Sequence, residues 1–218
     1  MREIDYPELR SELPETEFQF KQFGEKTDIV VVGLHGWTGD EQSLIPVSIG
    51  VRCPNSLWVL PRAPFKAQKI PKGFSWYDKP PDSKKELMFP IRIIEKIVEY
   101  FRREMGDEIK IFLLGFSQGA ALSAGAGLYL DSKLNGVISI AGFVRKEFVE
   151  LSGIKSKENF SPILILHGTK DEIVPIEKGN ELKNVCTELG QKVEFITYEG
   201  KHKIPVSVMR IIREFITD

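Results

Sequence analysis

Short β-branched runs alternate along the chain with segments whose apolar residues recur every three or four positions. That alternation predicts a sheet with crossover helices, an α/β fold with a mostly parallel central sheet covered on both faces. Residues 28–34 are almost continuously apolar, as expected of a strand buried on both sides. Further strands are predicted at 56–60, closed by Pro61, and at 109–114, 136–140, 162–166 and 192–198, with a short edge strand at 18–20. Helical spacing runs over 84–104 through Ile94, Ile97, Val98 and Phe101, and Pro90 is expected to break that helix or mark its true start. Other helices are expected after Ala120, over 176–189 with Gly190 as the stop, and from about Pro205 onward. No internal repeat or flexible linker interrupts the pattern, so residues 1–218 are expected to form one domain.

One stretch departs from the alternation. Residues 61–90 hold six prolines interleaved with Phe65, Phe74, Trp76, Tyr77 and Phe89. So long a connection is usually a binding loop or a disordered insert, and its aromatics argue against disorder. It is expected to form an ordered wall of the site.

Composition adds mainly exclusions. A chain of 218 residues, 42% hydrophobic, can bury a large core. Thirty basic residues against 31 acidic ones leave a net charge of -1 with no long run of either sign, so no nucleic-acid partner is expected. The charged N-terminus does not read as a signal peptide, and no apolar stretch is long enough to cross a bilayer. A cytoplasmic protein without stable membrane insertion is the expectation, with a homodimer left open. Cys53 and Cys186 are expected to be free thiols. No histidine, cysteine or carboxylate set has metal-ligand spacing, so neither metal nor other cofactor is expected.

The candidate chemistry centres on Gly115-Phe116-Ser117-Gln118-Gly119, between a predicted strand and a predicted helix. A serine at such a turn forms the nucleophile elbow of α/β-hydrolases, where flanking glycines let strand and helix approach. A serine hydroxyl needs a base to take its proton, and histidine does this near neutral pH. The chain has three histidines, and His202 alone follows Ser117 with room for an acid between them, the chain order of that fold. Asp171, just past the strand 162–166, is the preferred acid. Glu172 is its main rival, and Glu194 and Glu199 lie too close to His202 in sequence. His35 and His167 are expected to hydrogen-bond beneath the loops that carry the site. An oxyanion would be met by the Gln118 amide and, from the loop after residue 34, by that of Trp37, with Gly36 as the alternative. Trp37, Trp76, Phe65, Phe143 and Ile173 are candidates for an apolar acyl-binding surface.

With these residues in place, the chain resembles the small carboxylesterase, lysophospholipase and acyl-protein thioesterase family of lid-less α/β-hydrolases. The resemblance rests on Leu34-His35-Gly36, on Gly115 to Ala120, on His167-Gly168 with Asp171 and Val174-Pro175, and on Gly200 with His202. It implies a Ser117–His202–Asp171 triad, with Trp37 and Gln118 as oxyanion donors. Residues 74–78 resemble the family's Trp-aromatic-Asp segment lining the site. Trp37 stands where many members carry a smaller aliphatic residue, and the loop 62–75 is longer and richer in lysine. The implied activity is hydrolysis of small-molecule carboxylic esters through an acyl-enzyme. With no long helical insertion after residue 140, short or medium acyl chains are expected. Thioester, lysophospholipid or amide substrates would use the same groups, and a non-catalytic binding protein of the same fold is the contrasting reading.

Overall fold

The long apolar runs of the sequence form one seven-stranded sheet in the computed structural model, which describes residues 1–68, 71–77, 84–130, 134–152 and 160–218. Its strands are β1 (Phe18–Phe23), β2 (Ile29–Leu34), β3 (Ser56–Pro61), β6 (Lys110–Phe116), β7 (Gly136–Ile140), β8 (Ile163–Gly168) and β9 (Val193–Tyr198); β4 (Phe65–Lys66) and β5 (Phe74–Ser75) pair separately. The order across the sheet is β1-β3-β2-β6-β7-β8-β9. Only β1, on the edge, runs antiparallel to its neighbour. This is the mostly parallel α/β-hydrolase fold expected from the sequence.

Alternation along the buried strands divides the core in two. Val30, Val32 and Leu34 of β2 face one side, and Ile29 and Val31 the other. The first side is covered by α1 (Pro7–Glu12), α3 (Lys84–Met105), α4 (Gln118–Leu130) and α6 (Ile176–Glu188). The second is covered by α2 (Ile45–Val51) and α7 (Met209–Thr217). A short helix, α5 (Lys146–Ser152), follows β7.

Two expectations need correction. Pro90 neither starts nor breaks its helix: α3 begins at Lys84 and runs through it. At the seventh helical position the missing N–H forfeits one bond to the first turn, and the buried Ile91, Ile94, Ile97 and Val98 that follow anchor the helix to the sheet. The loop 61–90 is not a single wall. Its described part folds into the β4–β5 pair and then buries Trp76 and Tyr77, while 69–70 and 78–83, including Asp78, lie outside the described residues.

The parallel strands end together. The segments that leave the carboxyl ends of β2, β6, β8 and β9 carry His35 to Asp40, Ser117, Asp171 and His202, the edge at which such sheets gather ligands. Phe101 of α3 is fully buried, edge-on to Tyr6 at 5.2 Å and to Tyr100 at 5.1 Å. Phe101→Ala should therefore cost about 3–5 kcal/mol in urea unfolding. A loss under about 1 kcal/mol would mean that this layer does not carry the fold.

Candidate active site

Ser117 sits at the apex of the turn between β6 and α4 with φ of +54°, in the left-handed region that side chains rarely adopt. The strain is held from both sides. The Ser117 N–H donates to the Ile140 carbonyl at 2.9 Å, and its own carbonyl accepts from the Ala120 and Ala121 amides at 3.0 and 3.1 Å. The two glycines of the motif are steric necessities. A methyl at Gly115 would collide with the Gly119 carbonyl, and one at Gly119 with the carbonyls of Leu34 and His35. Bare backbone at these positions lets β6, α4 and the loop after β2 meet.

Three side chains from three loops form one hydrogen-bonded line. Ser117 Oγ lies 3.0 Å from His202 Nε2, and His202 Nδ1 lies 2.7 Å from Asp171 Oδ2. The other Asp171 oxygen accepts the Ile173 and Val174 amides, both at 2.9 Å. Burial pushes the Asp171 carboxyl pKa up, but hydrogen bonds from His202 and the two amides outweigh burial and hold it below 3.8. An ionised carboxylate can only accept, so Nδ1 must carry the imidazole proton, and Nε2 is left to accept from Ser117. The His202 ring also packs on Phe116 at 4.8 Å between centroids. The loops of Asp171 and His202 are tied by backbone bonds from Thr169 to Tyr198 and from Lys170 to Gly200, both 2.9 Å. The rival acids are turned elsewhere: Glu172 faces Lys201 at 3.7 Å and Glu199 pairs with Lys170, all four exposed.

The Trp37 loop is seated against the elbow. A methyl at Gly36 would stand 3.1 Å from the Phe116 ring and 3.5 Å from Ser117 Cβ. Among the described residues neither the Trp37 nor the Gln118 amide donates to another protein group. Both remaining histidines lie beneath such loops, as the sequence suggests. The His35 ring bonds Gly36 O at 2.7 Å and the Ala63 amide at 3.0 Å, and burial pushes its pKa down. His167 bonds Val174 O at 2.8 Å, under the loop of Asp171.

The apolar candidates separate. Ile173 is 72% exposed and Trp37 52% exposed; the first lies in the loop whose amides bond Asp171, and the second follows Gly36, which packs on the elbow. Phe65 is half-buried against Phe89 at 5.9 Å, and Phe143 lines a narrow crevice with α4 and α6. Trp76 is a correction. It is fully buried and so offers no surface to a ligand, and its indole N–H donates to the His35 carbonyl at 2.8 Å.

The sequence reading overlooked a polar network behind the serine. The Gln118 side chain accepts the Trp76 amide at 3.0 Å and donates to Ser75 Oγ at 2.9 Å and to Tyr77 O at 3.1 Å. Arg62 grips Glu41 through two bonds, 2.6 and 2.9 Å, bracing the loop after β2. No motif spacing announces these pairs. Among the described residues no cluster of three or more His, Cys, Asp or Glu side chains is gathered to hold a metal. No described helix is long and apolar enough to cross a membrane.

The chain is similar to several known proteins. The sequence profile of the phospholipase/carboxylesterase family matches residues 18–218. Acyl-protein thioesterase 1 of Candida albicans is 30% identical over 198 residues, covering 81% of this chain and 85% of that protein. Carboxylesterase SOBER1 of Arabidopsis thaliana is 27% identical over 174 residues, 74% of this chain and 76% of that one. Among solved structures, esterase PE8 superimposes with a TM-score of 0.78 over 92% of this chain and 97% of its own, at 20% identity, a likeness of fold.

The Asp171 geometry makes a testable statement about acid stability. A carboxyl whose folded pKa lies below its unfolded value stabilises the fold above the unfolded value, and the contribution is lost as pH falls through the folded one. Asp171→Asn should therefore remove part of the stability lost below pH 3.8, read from urea unfolding in acid. Identical acid-side slopes for parent and variant would show that the carboxylate gains nothing from its partners.

Proposed function

The chain belongs to the phospholipase/carboxylesterase family of α/β-hydrolases, and from that premise we propose that it cleaves carboxylic esters through an acyl-enzyme formed on Ser117. The observation that carries the reading is the unbroken line Ser117–His202–Asp171 at a left-handed turn. Ser117 Oγ attacks the acyl carbon as His202 Nε2 takes its proton, and the carbonyl electron pair moves onto oxygen. Asp171, ionised throughout, holds the imidazole in the required tautomer and stabilises the imidazolium. The Trp37 and Gln118 amides bind the oxyanion, each worth about 3 kcal/mol of barrier in comparable sites. Collapse of the tetrahedral adduct expels the alkoxide, which leaves as an alcohol with the proton from His202. Water then repeats the sequence on the acyl-enzyme and releases the carboxylic acid.

Ile173 and Trp37 supply the apolar surface for the acyl group, and their exposure suits short or medium chains. A thioester reading has its own support, since the Candida albicans relative is named an acyl-protein thioesterase. Thioester cleavage uses the same steps with a thiolate leaving group.

Nitrophenyl and thioester substrates of graded acyl length test the proposal directly. Ser117→Ala should abolish turnover and labelling by a fluorophosphonate. Full turnover in Ser117→Ala would refute the mechanism.

A further inference from the structure

Two amides on separate loops must point at one oxygen for the proposed chemistry, and only one of them is aimed by a helix. The Gln118 amide belongs to the peptide whose carbonyl, that of Ser117, is locked by the Ala120 and Ala121 amides at the start of α4. In a planar trans peptide the N–H runs opposite to the C=O, so fixing one end aims the other. The Trp37 amide lies instead in the plane shared with Gly36, and Gly36 has no Cβ to restrict that plane. Something else must hold it.

The Gly36 carbonyl, the far end of that plane, accepts from Gly39 N–H at 3.0 Å and lies 2.7 Å from His35 Nδ1. The tautomer of His35 is set by its other nitrogen. The Ala63 N–H points at Nε2 from 3.0 Å, and an N–H must meet a lone pair, so the ring proton sits on Nδ1 and is donated to Gly36 O. The ring is 1% exposed, beyond the competition of water. The preceding plane is pinned as well, because the His35 carbonyl accepts the Trp76 indole N–H at 2.8 Å. Trp76 in turn donates its own amide to the Gln118 side chain at 3.0 Å. One buried relay thus runs from the residue beneath one proposed donor to the residue that supplies the other.

We propose that His35 is a positioning residue that aims the Trp37 amide at the developing oxyanion by clamping the Gly36 carbonyl, with Trp76 bracing it against Gln118. The inference rests on the acyl-enzyme reading above. It assigns His35 a role distinct from that of His202, since it exchanges no proton with substrate and acts only through the backbone. The clamp matters most where the carbonyl oxygen gains charge, so its loss should appear in the transition state rather than in ground-state binding.

The test compares wild type with His35→Leu, His35→Asn and Trp76→Phe on p-nitrophenyl butyrate. Affinity is also measured for a trifluoromethyl ketone, which forms a tetrahedral adduct, and for the matching methyl ketone, which does not. His35→Leu should lower kcat by ~10- to 100-fold with KM changed by less than about threefold, somewhat less than outright loss of an oxyanion donor. The trifluoromethyl ketone should weaken in parallel and the methyl ketone should not. His35→Asn keeps an amide N–H within reach of Gly36 O and should recover most of the loss. Trp76→Phe, which removes the indole N–H along with part of the buried ring, should lower kcat and trifluoromethyl ketone affinity together while leaving the methyl ketone unchanged. Should the leucine variant fail to fold by circular dichroism, the phenylalanine variant decides the matter. Unchanged kcat in folded His35→Leu or Trp76→Phe, or equal loss of both ketones, would overturn the role of His35. Turnover surviving in Ser117→Ala would instead remove the acyl-enzyme reading beneath it.

Discussion

The left-handed turn at Ser117 is the constraint on which the rest of the site depends. It reverses the chain within one residue, so that the serine hydroxyl stands clear of the strand while its amide stays bonded to β7 through Ile140. Backbone forced into this region costs on the order of 1–3 kcal/mol and persists only where the surroundings over-determine it. Here they do so through a parallel neighbour on one side, the first turn of α4 on the other, and carbonyls from the loop after β2 packed against Gly119. The same close packing brings the Trp37 loop to the serine. Backbone geometry and the placement of the proposed donor amides are thus consequences of one steric arrangement.

The charge distribution has a similar economy. Asp171 is kept ionised by the His202 ring and two amides, which fixes the orientation of that imidazole without any long-range field. His35, by contrast, is buried and paired so that it stays neutral, with burial as the leading cause. Two histidines on neighbouring loops therefore face opposite demands. In the proposed mechanism one must gain and lose a proton in each half-reaction, and the other must never do so.

Much of this was legible in the sequence because it follows from periodicity and local sterics. The apolar runs located the five inner strands of the main sheet, which are covered on both faces and near-continuously apolar, and shorter apolar patterns located the edge strands β1 and β9. Chain order singled out Ser117, Asp171 and His202, and the folded chain brings them into contact. What stayed hidden depends on tertiary context. Pro90 reads as a breaker, yet the core beneath α3 outweighs one lost bond. Trp76 reads as a pocket aromatic because composition cannot tell a wall from a core, and the indole N–H that decides the matter finds its partner 41 residues away. The Gln118 carboxamide, serving Ser75, Trp76 and Tyr77, leaves no signal at any fixed spacing.

The central claim is covalent, and a covalent intermediate can be seen directly. Wild-type protein mixed with a p-nitrophenyl ester, quenched in acid within milliseconds and digested, should yield one peptide heavier by the acyl group, with the modification on Ser117. An acyl group on another residue in place of Ser117 would contradict the account.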